Sequence, residues 1–139
     1  MNTKKEKVMV FGVFDNLHEG HRFLLKNALN YGLELYIVVT PTHRVEKIKG
    51  KLPFYSIKER MHALEKEYPE ARIIEGDNDA EQWTPIINNT PEVIVCGYDQ
   101  DELYDALSKI SGKYNFELIQ IKENLNGEEL HSRYINKSV

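Results

Sequence analysis

Five short apolar runs alternate with stretches of helical periodicity along this chain, and this alternation restricts the possible folds more than any other feature. The apolar runs are predicted as strands at Lys7–Phe11, Leu33–Val39, Ala71–Glu75, Glu92–Cys96 and Phe116–Ile121. Parallel strands need crossover helices, and right-handed crossovers place those helices on both sides of a sheet. We therefore expect an α/β fold: a single Rossmann-like domain over residues 1–139, with a five-stranded parallel sheet of order 3-2-1-4-5 and helices on both faces.

The segments between these strands carry recognisable helix signals. Helices are predicted at His21–Tyr31, from Ser56 to before Pro69, at Gln82–Asn88 and at Glu102–Ile110. Gly32 is a plausible C-cap of the first helix, and Ser56 with Glu59 forms a capping-box pair at the start of the second. The segment HRVEKIKGK, residues 43–51, is interpreted as a basic loop.

Composition excludes several classes of protein. The chain has 139 residues, a net charge of −4 and 41% hydrophobic residues, and these values are typical of a soluble globular domain. The acidic balance disfavours nucleic acid as a partner, and no apolar run is long enough for a signal core or a membrane span. The single cysteine, Cys96, lies in an apolar run and is predicted to be a buried, inert thiol. We expect a cytoplasmic protein with no membrane partner.

The stretch VMVFGVFDNLHEGH, residues 8–21, places two histidines where a strand passes into a helix. Helix N-termini bind anions, so phosphate is the first ligand to suspect. With strand order 3-2-1-4-5, the sequence GYDQ after strand four and the basic segment after strand two would open onto the same crevice. The basic segment could instead be a solvated loop, as most charge runs are.

The motif GVFDNLHEGH resembles the HxGH signature of the small cytidylyltransferase-like nucleotidyltransferases, a group that includes archaeal-type FAD synthases and glycerol-3-phosphate cytidylyltransferases. The resemblance covers nearly the whole chain. It implies that an acceptor phosphate attacks the α-phosphorus of a nucleoside triphosphate and releases pyrophosphate. Such a reaction needs positioning and electrostatic stabilisation rather than a protein nucleophile.

The resemblance also assigns roles to residues. The implied catalytic residues are His18, His21, Lys47 and Arg60, with Lys49 and Arg44 as rivals of Lys47. The implied nucleotide-binding residues are Gly12, Val13, Phe14, Asp15, Gly20, Gly97, Tyr98, Asp99, His131, Ser132 and Arg133. Two of these have simpler alternatives, because Arg60 could be an exposed helical arginine and Asp99 could be a helix N-cap.

The C-terminal sequence LHSRYI resembles the HSS pattern of archaeal-type FAD synthases, although Arg133 replaces the second serine. Together with GYDQ it favours adenylyl transfer from ATP to FMN. The alternatives are a glycerol-3-phosphate-type cytidylyltransferase that uses CTP and, from another class, a non-catalytic nucleotide-binding sensor. The resemblance further implies Mg²⁺ with the nucleotide but no protein metal site, no organic prosthetic group, and a homodimer.

Overall fold

The computed structural model describes residues 5–122. All pairings in its five-stranded sheet are parallel, and the strand order is β3-β2-β1-β4-β5. The strands are β1 Lys5–Gly12, β2 Gly32–Val39, β3 Arg72–Glu75, β4 Val93–Cys96 and β5 Glu117–Gln120. The helices are α1 Glu19–Ala28, α2 Thr42–Lys49, α3 Ile57–Glu67, α4 Thr84–Asn89, α5 Asp101–Ser108 and α6 Ser111–Tyr114. The predicted fold class and strand order are confirmed.

Successive strand residues point to opposite faces of the sheet, so both faces are apolar, and helices cover both of them. On one face, Leu25 of α1 and Leu64 of α3 pack against Val8 and Ile37. On the other face, α4 and α5 cover Met9, Val38 and Ile94. Cys96 belongs to this second core and is fully buried, and burial raises the pKa of its thiol to about 12. The prediction of a buried, inert thiol fits this environment.

The basic segment after β2 is a helix rather than a loop, so that interpretation was wrong. Helix α2 begins after Pro41 and ends at Lys49, and the next residue, Gly50, has a φ of 76° and forms a left-handed C-cap. Val45 is its one buried residue. The helix was not predicted because a single buried apolar residue in a run of charged residues does not produce the periodic apolar pattern that indicates a helix.

Gly32 is not the C-cap of α1, which ends earlier, with Leu29 in that position. Gly32 begins β2, and a Cβ there would lie 2.7 Å from the Cβ of Val8. The glycine therefore permits close approach of two strands. The capping box of α3 is confirmed, since the Glu59 amide donates to Ser56 Oγ at 3.1 Å and the Ser56 amide donates to Glu59 Oε1 at 2.9 Å.

The two central strands separate towards their carboxyl ends. β1 pairs with β2 as far as Gly12–Val39, whereas its pairing with β4 ends at Met9–Ile94. The sheet therefore opens between β1 and β4, at the point where strand order reverses and ligands bind in folds of this kind. No helix among residues 5–122 is long and apolar enough to cross a membrane.

Candidate nucleotide-binding site

A cavity of about 1100 Å³ lies over the carboxyl edge of the sheet. It is bordered by the turn after β1, by α2, by the loop after β3 and by the turn after β4. Of the predicted site residues, the cavity is lined by Gly12, Val13, Phe14, His18, Gly20, His21, Gly97, Tyr98 and Asp99. The structure therefore brings the histidine motif and the GYDQ turn together, as the strand order predicts.

The two histidines form a capping box at the start of α1. His18 is the N-cap residue, and its Nδ1 accepts a hydrogen bond from the Gly20 amide at 3.0 Å. The His18 amide in turn donates to His21 Nδ1 at 3.3 Å. Both Nδ1 atoms thus act as acceptors, so a neutral imidazole at either position carries its proton on Nε2. Each ring can then offer an Nε2–H donor at the positive end of a helix dipole.

The rings of His18 and His21 are stacked, with centroids 3.8 Å apart and planes at 23°. Burial, followed by the charges of His18 and Arg22, lowers the pKa of His21 to about 4, although Asp15 opposes the shift. His21 is therefore neutral at physiological pH, and its Nε2–H is able to donate a hydrogen bond.

Gly20 and Gly12 make room for rings. A Cβ on Gly20 would lie 2.9 Å from His18 Cε1, and one on Gly12 would lie 2.8 Å from the ring of Phe14. Phe14 is buried and sits against His21, with ring centroids 5.3 Å apart. The motif therefore fixes the imidazoles by packing as well as by hydrogen bonds.

Both carboxylate oxygens of Asp15 accept hydrogen bonds from backbone amides. Its Oδ2 accepts from the Phe54 amide at 2.7 Å, and its Oδ1 accepts from the Tyr55 amide at 3.0 Å. Asp15 also does not line the cavity. Its geometry is that of an anchor between the turn after β1 and the segment that precedes α3.

Arg60 is neither exposed nor directed at the cavity. It is 1% exposed and donates hydrogen bonds to the carbonyls of Tyr55 (3.0 Å), Val13 (2.9 Å) and Thr40 (2.7 Å) and to Thr42 Oγ1 (3.2 Å). The simpler sequence interpretation, an exposed helical arginine, was wrong. Burial lowers the pKa of its guanidinium, and the charges of Asp15 and Glu75 oppose that shift.

These contacts of Arg60 join the turns after β1 and β2. A carbonyl oxygen facing a bound phosphate would repel it, and Arg60 engages the oxygens of Val13 and Thr40 from behind the cavity. In this structure Arg60 organises the walls of the site.

Helix α2 supplies cations to the cavity, although not the one first predicted. Arg44 and Lys49 line the cavity, together with Ile48. Lys47 is exposed and is not among the lining residues. Arg44 and Ile48 share one face of α2, and Lys49 is the last residue of this helix.

Asp99 lines the cavity but is not the N-cap of α5, since that position belongs to Gln100. Gln100 is a residue that sequence reasoning missed. Its Oε1 accepts from the Gly97 amide at 2.8 Å, and its Nε2 donates to the Phe11 carbonyl at 2.8 Å. Gln120 braces the same turn by donating to the Gly97 carbonyl at 3.2 Å. No sequence feature indicates this role for Gln100, because its side chain is uncharged and it lies inside the GYDQ motif.

An aromatic wall, made of Phe11 and Trp83, forms part of the cavity. Phe11 and Trp83 both line it, and their rings meet edge to face with centroids 6.2 Å apart. Trp83 has φ 55°, a left-handed conformation uncommon for a bulky residue. The place of Trp83 on the cavity wall depends on the turn before α4.

Three predicted contacts, His131, Ser132 and Arg133, lie outside the described residues. Within residues 5–122, no group of three His, Cys, Asp or Glu side chains could hold a metal ion.

The profile of the cytidylyltransferase-like family matches residues 9–137. The chain belongs to this family and is a nucleotidyltransferase. An FAD synthase of Thermococcus sibiricus is 33% identical over 138 residues, which cover 98% of this chain and 87% of that protein. An FAD synthase of Aciduliprofundum boonei is 37% identical over 94 residues, covering 68% of this chain and 62% of that protein. Enzymes of this type commonly use a divalent metal ion with the nucleotide.

Solved structures agree on the fold. A protein from Thermoplasma volcanium, described as a lipopolysaccharide core biosynthesis protein, aligns with a TM-score of 0.70 and 29% identity, over 84% of this chain and 95% of that one. A bifunctional NMN adenylyltransferase/ADP ribose pyrophosphatase from Francisella tularensis aligns with a TM-score of 0.65 over 96% of this chain and 43% of that one. At 16% identity, the second likeness concerns the fold alone.

Proposed function

We propose that this protein transfers the adenylyl group of ATP to FMN and releases pyrophosphate. Relatives named FAD synthase support the acceptor, and one of them matches almost the whole chain. The observation that best supports this chemistry is the stacked pair of imidazoles at the N-terminus of α1. The Nδ1 atom of each ring accepts a hydrogen bond from a backbone amide. This pair provides fixed donors where negative charge develops.

The reaction balances without a covalent enzyme intermediate. A phosphate oxygen of FMN forms a bond to the α-phosphorus of ATP, and the bond from that phosphorus to the oxygen bridging to the β-phosphate breaks. The Nε2–H groups of His18 and His21 stabilise the charge that accumulates on the phosphate oxygens. Donors of this kind accelerate reactions because they are already oriented before the charge appears.

Other residues of the cavity position the two substrates. Arg44 and Lys49 would contact phosphate groups from α2. Gly97 and Asp99 would contact the nucleoside, and the aromatic wall of Phe11 and Trp83 would lie against a flat ring system. Mg²⁺ would neutralise part of the phosphate charge when it is bound with ATP.

A turnover panel tests this proposal. ATP and CTP would each be combined with FMN or glycerol 3-phosphate, and pyrophosphate release and the organic product would be measured. We expect turnover with ATP and FMN, and FAD as the product. Turnover only with CTP and glycerol 3-phosphate would replace the proposed substrates, and nucleotide binding without any turnover would favour a sensor.

The variant His18→Asn separates capping from chemistry. Asparagine is a good N-cap and can accept the Gly20 amide bond, but it lacks the Nε2 end of the ring. We expect nearly native stability and a kcat lowered by about 100-fold, in the range found when one oxyanion donor is removed. An unchanged kcat would exclude His18 from the chemical step.

Trp83 offers a direct readout of acceptor binding, because it is the single tryptophan of the chain. We expect FMN to quench its fluorescence, and Trp83→Leu to raise the KM for FMN more than the KM for ATP. Equal effects on both KM values would place Trp83 away from the acceptor ring.

We further infer a cytoplasmic homodimer. An exposed apolar group beside the site supports self-association: Ile48, Leu52 and Phe54 are 57%, 61% and 88% exposed. Light scattering should give twice the 16.2 kDa mass of one chain, and Phe54→Ser should shift the protein towards monomer. A native monomer at micromolar concentration would contradict the inference.

A further inference from the structure

The separation of β1 and β4 leaves backbone groups facing each other across a gap. The last paired residues are Met9 and Ile94, and beyond them each strand remains paired only with its outer neighbour, β2 or β5. The Phe11 carbonyl and the Gly97 amide lie on the two sides of this gap. Both residues line the cavity.

The side chain of Gln100 bridges the gap. Its Nε2 donates to the Phe11 carbonyl at 2.8 Å, and its Oε1 accepts from the Gly97 amide at 2.8 Å. One end of the amide must donate and the other must accept, so the two partners fix its orientation. Because the bridge has a defined length, it sets the spacing between the two strand ends.

The turn that Gln100 joins to β1 is held from the other side as well. Gln120 donates to the Gly97 carbonyl at 3.2 Å and to Asp101 Oδ1 at 2.8 Å. The backbone amide of Gln100 also donates to the Gly97 carbonyl at 3.1 Å. With the turn fixed to β5 in this way, the Gln100 side chain provides a polar link from this turn to β1.

We propose that Gln100 is a positioning residue that sets the width of the crevice between β1 and β4 and thereby the affinity for the nucleotide. This inference rests on the proposed function only in taking the cavity as the nucleotide site. It does not depend on which acceptor is used. Gln100 acts through the Phe11 and Gly97 backbone and is not a catalytic residue.

Two substitutions separate the hydrogen-bonding role from simple space filling. Gln100→Met keeps the length of the side chain and removes both bonds. Gln100→Glu places a carboxylate against the Phe11 carbonyl at high pH, but its protonated form can donate to Phe11 and accept from Gly97 as the amide does. The neighbouring charges of Asp99 and Asp101 favour that protonated form.

The experiment measures the affinity for the non-hydrolysable analogue α,β-methylene-ATP by isothermal titration calorimetry at pH 8 and pH 6. The control is Asn88→Asp, which makes the same amide-to-acid change at an exposed position on α4. We expect Gln100→Met to weaken binding about tenfold at both pH values, as the loss of two hydrogen bonds implies. At pH 8, Gln100→Glu should lose at least as much affinity, relative to the native protein, as Gln100→Met does. At pH 6, the affinity of Gln100→Glu relative to the native protein should rise by roughly threefold or more.

Specific outcomes would overturn the inference. These are native affinity in both Gln100 variants, or a loss for Gln100→Glu that is the same at pH 6 and pH 8. If Gln100→Met does not fold, the pH dependence of Gln100→Glu decides alone. The measurement is independent of turnover, so nucleotide binding that responds to Gln100 in a protein inactive with FMN would refute the proposed acceptor and leave this inference standing.

Discussion

Replacing Arg60 by methionine removes four hydrogen bonds from the interior of the protein. Three acceptors are backbone carbonyls, those of Tyr55, Val13 and Thr40, and the fourth is Thr42 Oγ1. A buried acceptor left without a partner costs about 1–3 kcal/mol. The substitution also removes the cost of burying the Arg60 charge, and this offsets part of the loss of stability. We therefore expect the free energy of unfolding to fall by about 3 kcal/mol, which corresponds to a Tm lower by roughly 10 °C for a domain of this size.

The assay is urea denaturation followed by Trp83 fluorescence, with Arg60→Lys as a graded variant. Lysine keeps the charge but can make fewer of the four bonds, so it should lose about 1–2 kcal/mol. Arg44→Met is the matched control, because Arg44 lines the cavity rather than the core. It should change stability by less than about 0.5 kcal/mol and lower kcat/KM. The reasoning would be refuted if Arg60→Met changed stability as little as Arg44→Met while abolishing activity, since Arg60 would then act on substrate.

Four further predictions concern the site. Long-range ¹H–¹⁵N NMR should find the His21 ring neutral at pH 5.5 with its proton on Nε2, because its pKa is lowered to about 4; titration near 6.5 would contradict this. Since the folded state disfavours protonated His21, this residue should make the protein less stable as pH falls from about 6.5 towards 4, and His21→Gln, measured by denaturation, should remove that slope. Lys49→Ala should lower kcat/KM about tenfold and Lys47→Ala less than about twofold, and the reverse order would restore Lys47 as the phosphate contact. Asp15→Asn should speed hydrogen exchange of the Phe54 and Tyr55 amides about tenfold, and unchanged protection would mean that the carboxylate does not anchor this segment.

The fold could be predicted from the sequence because its signals are local and periodic. Each strand is a short apolar run. The Ser56–Glu59 capping box indicates the start of α3, which begins at Ile57. Helix α2 was missed because only Val45 is buried on it. The predicted polar features do converge on one crevice, which follows from strand order and from the position of each motif after a strand.

The roles of buried polar residues could not be predicted in the same way. Arg60 binds carbonyls from segments 20 and 47 residues away in sequence, and Gln100 binds a carbonyl 89 residues away. Such partners are defined only by the tertiary fold. A motif indicates that a residue belongs to a site. It does not indicate whether the side chain of that residue contacts the ligand or binds the backbone that forms the cavity wall.

We propose that the histidine turn of α1 catalyses transfer of a nucleotidyl group to a phosphorylated acceptor. The direct measurement follows ³²P from the α-position of ATP in the presence of FMN, with native protein and His18→Asn. We predict label in FAD, unlabelled pyrophosphate, and a slower rate but similar ATP affinity for the variant. Label in free phosphate or on the protein, or no transfer although both substrates bind, would contradict the account.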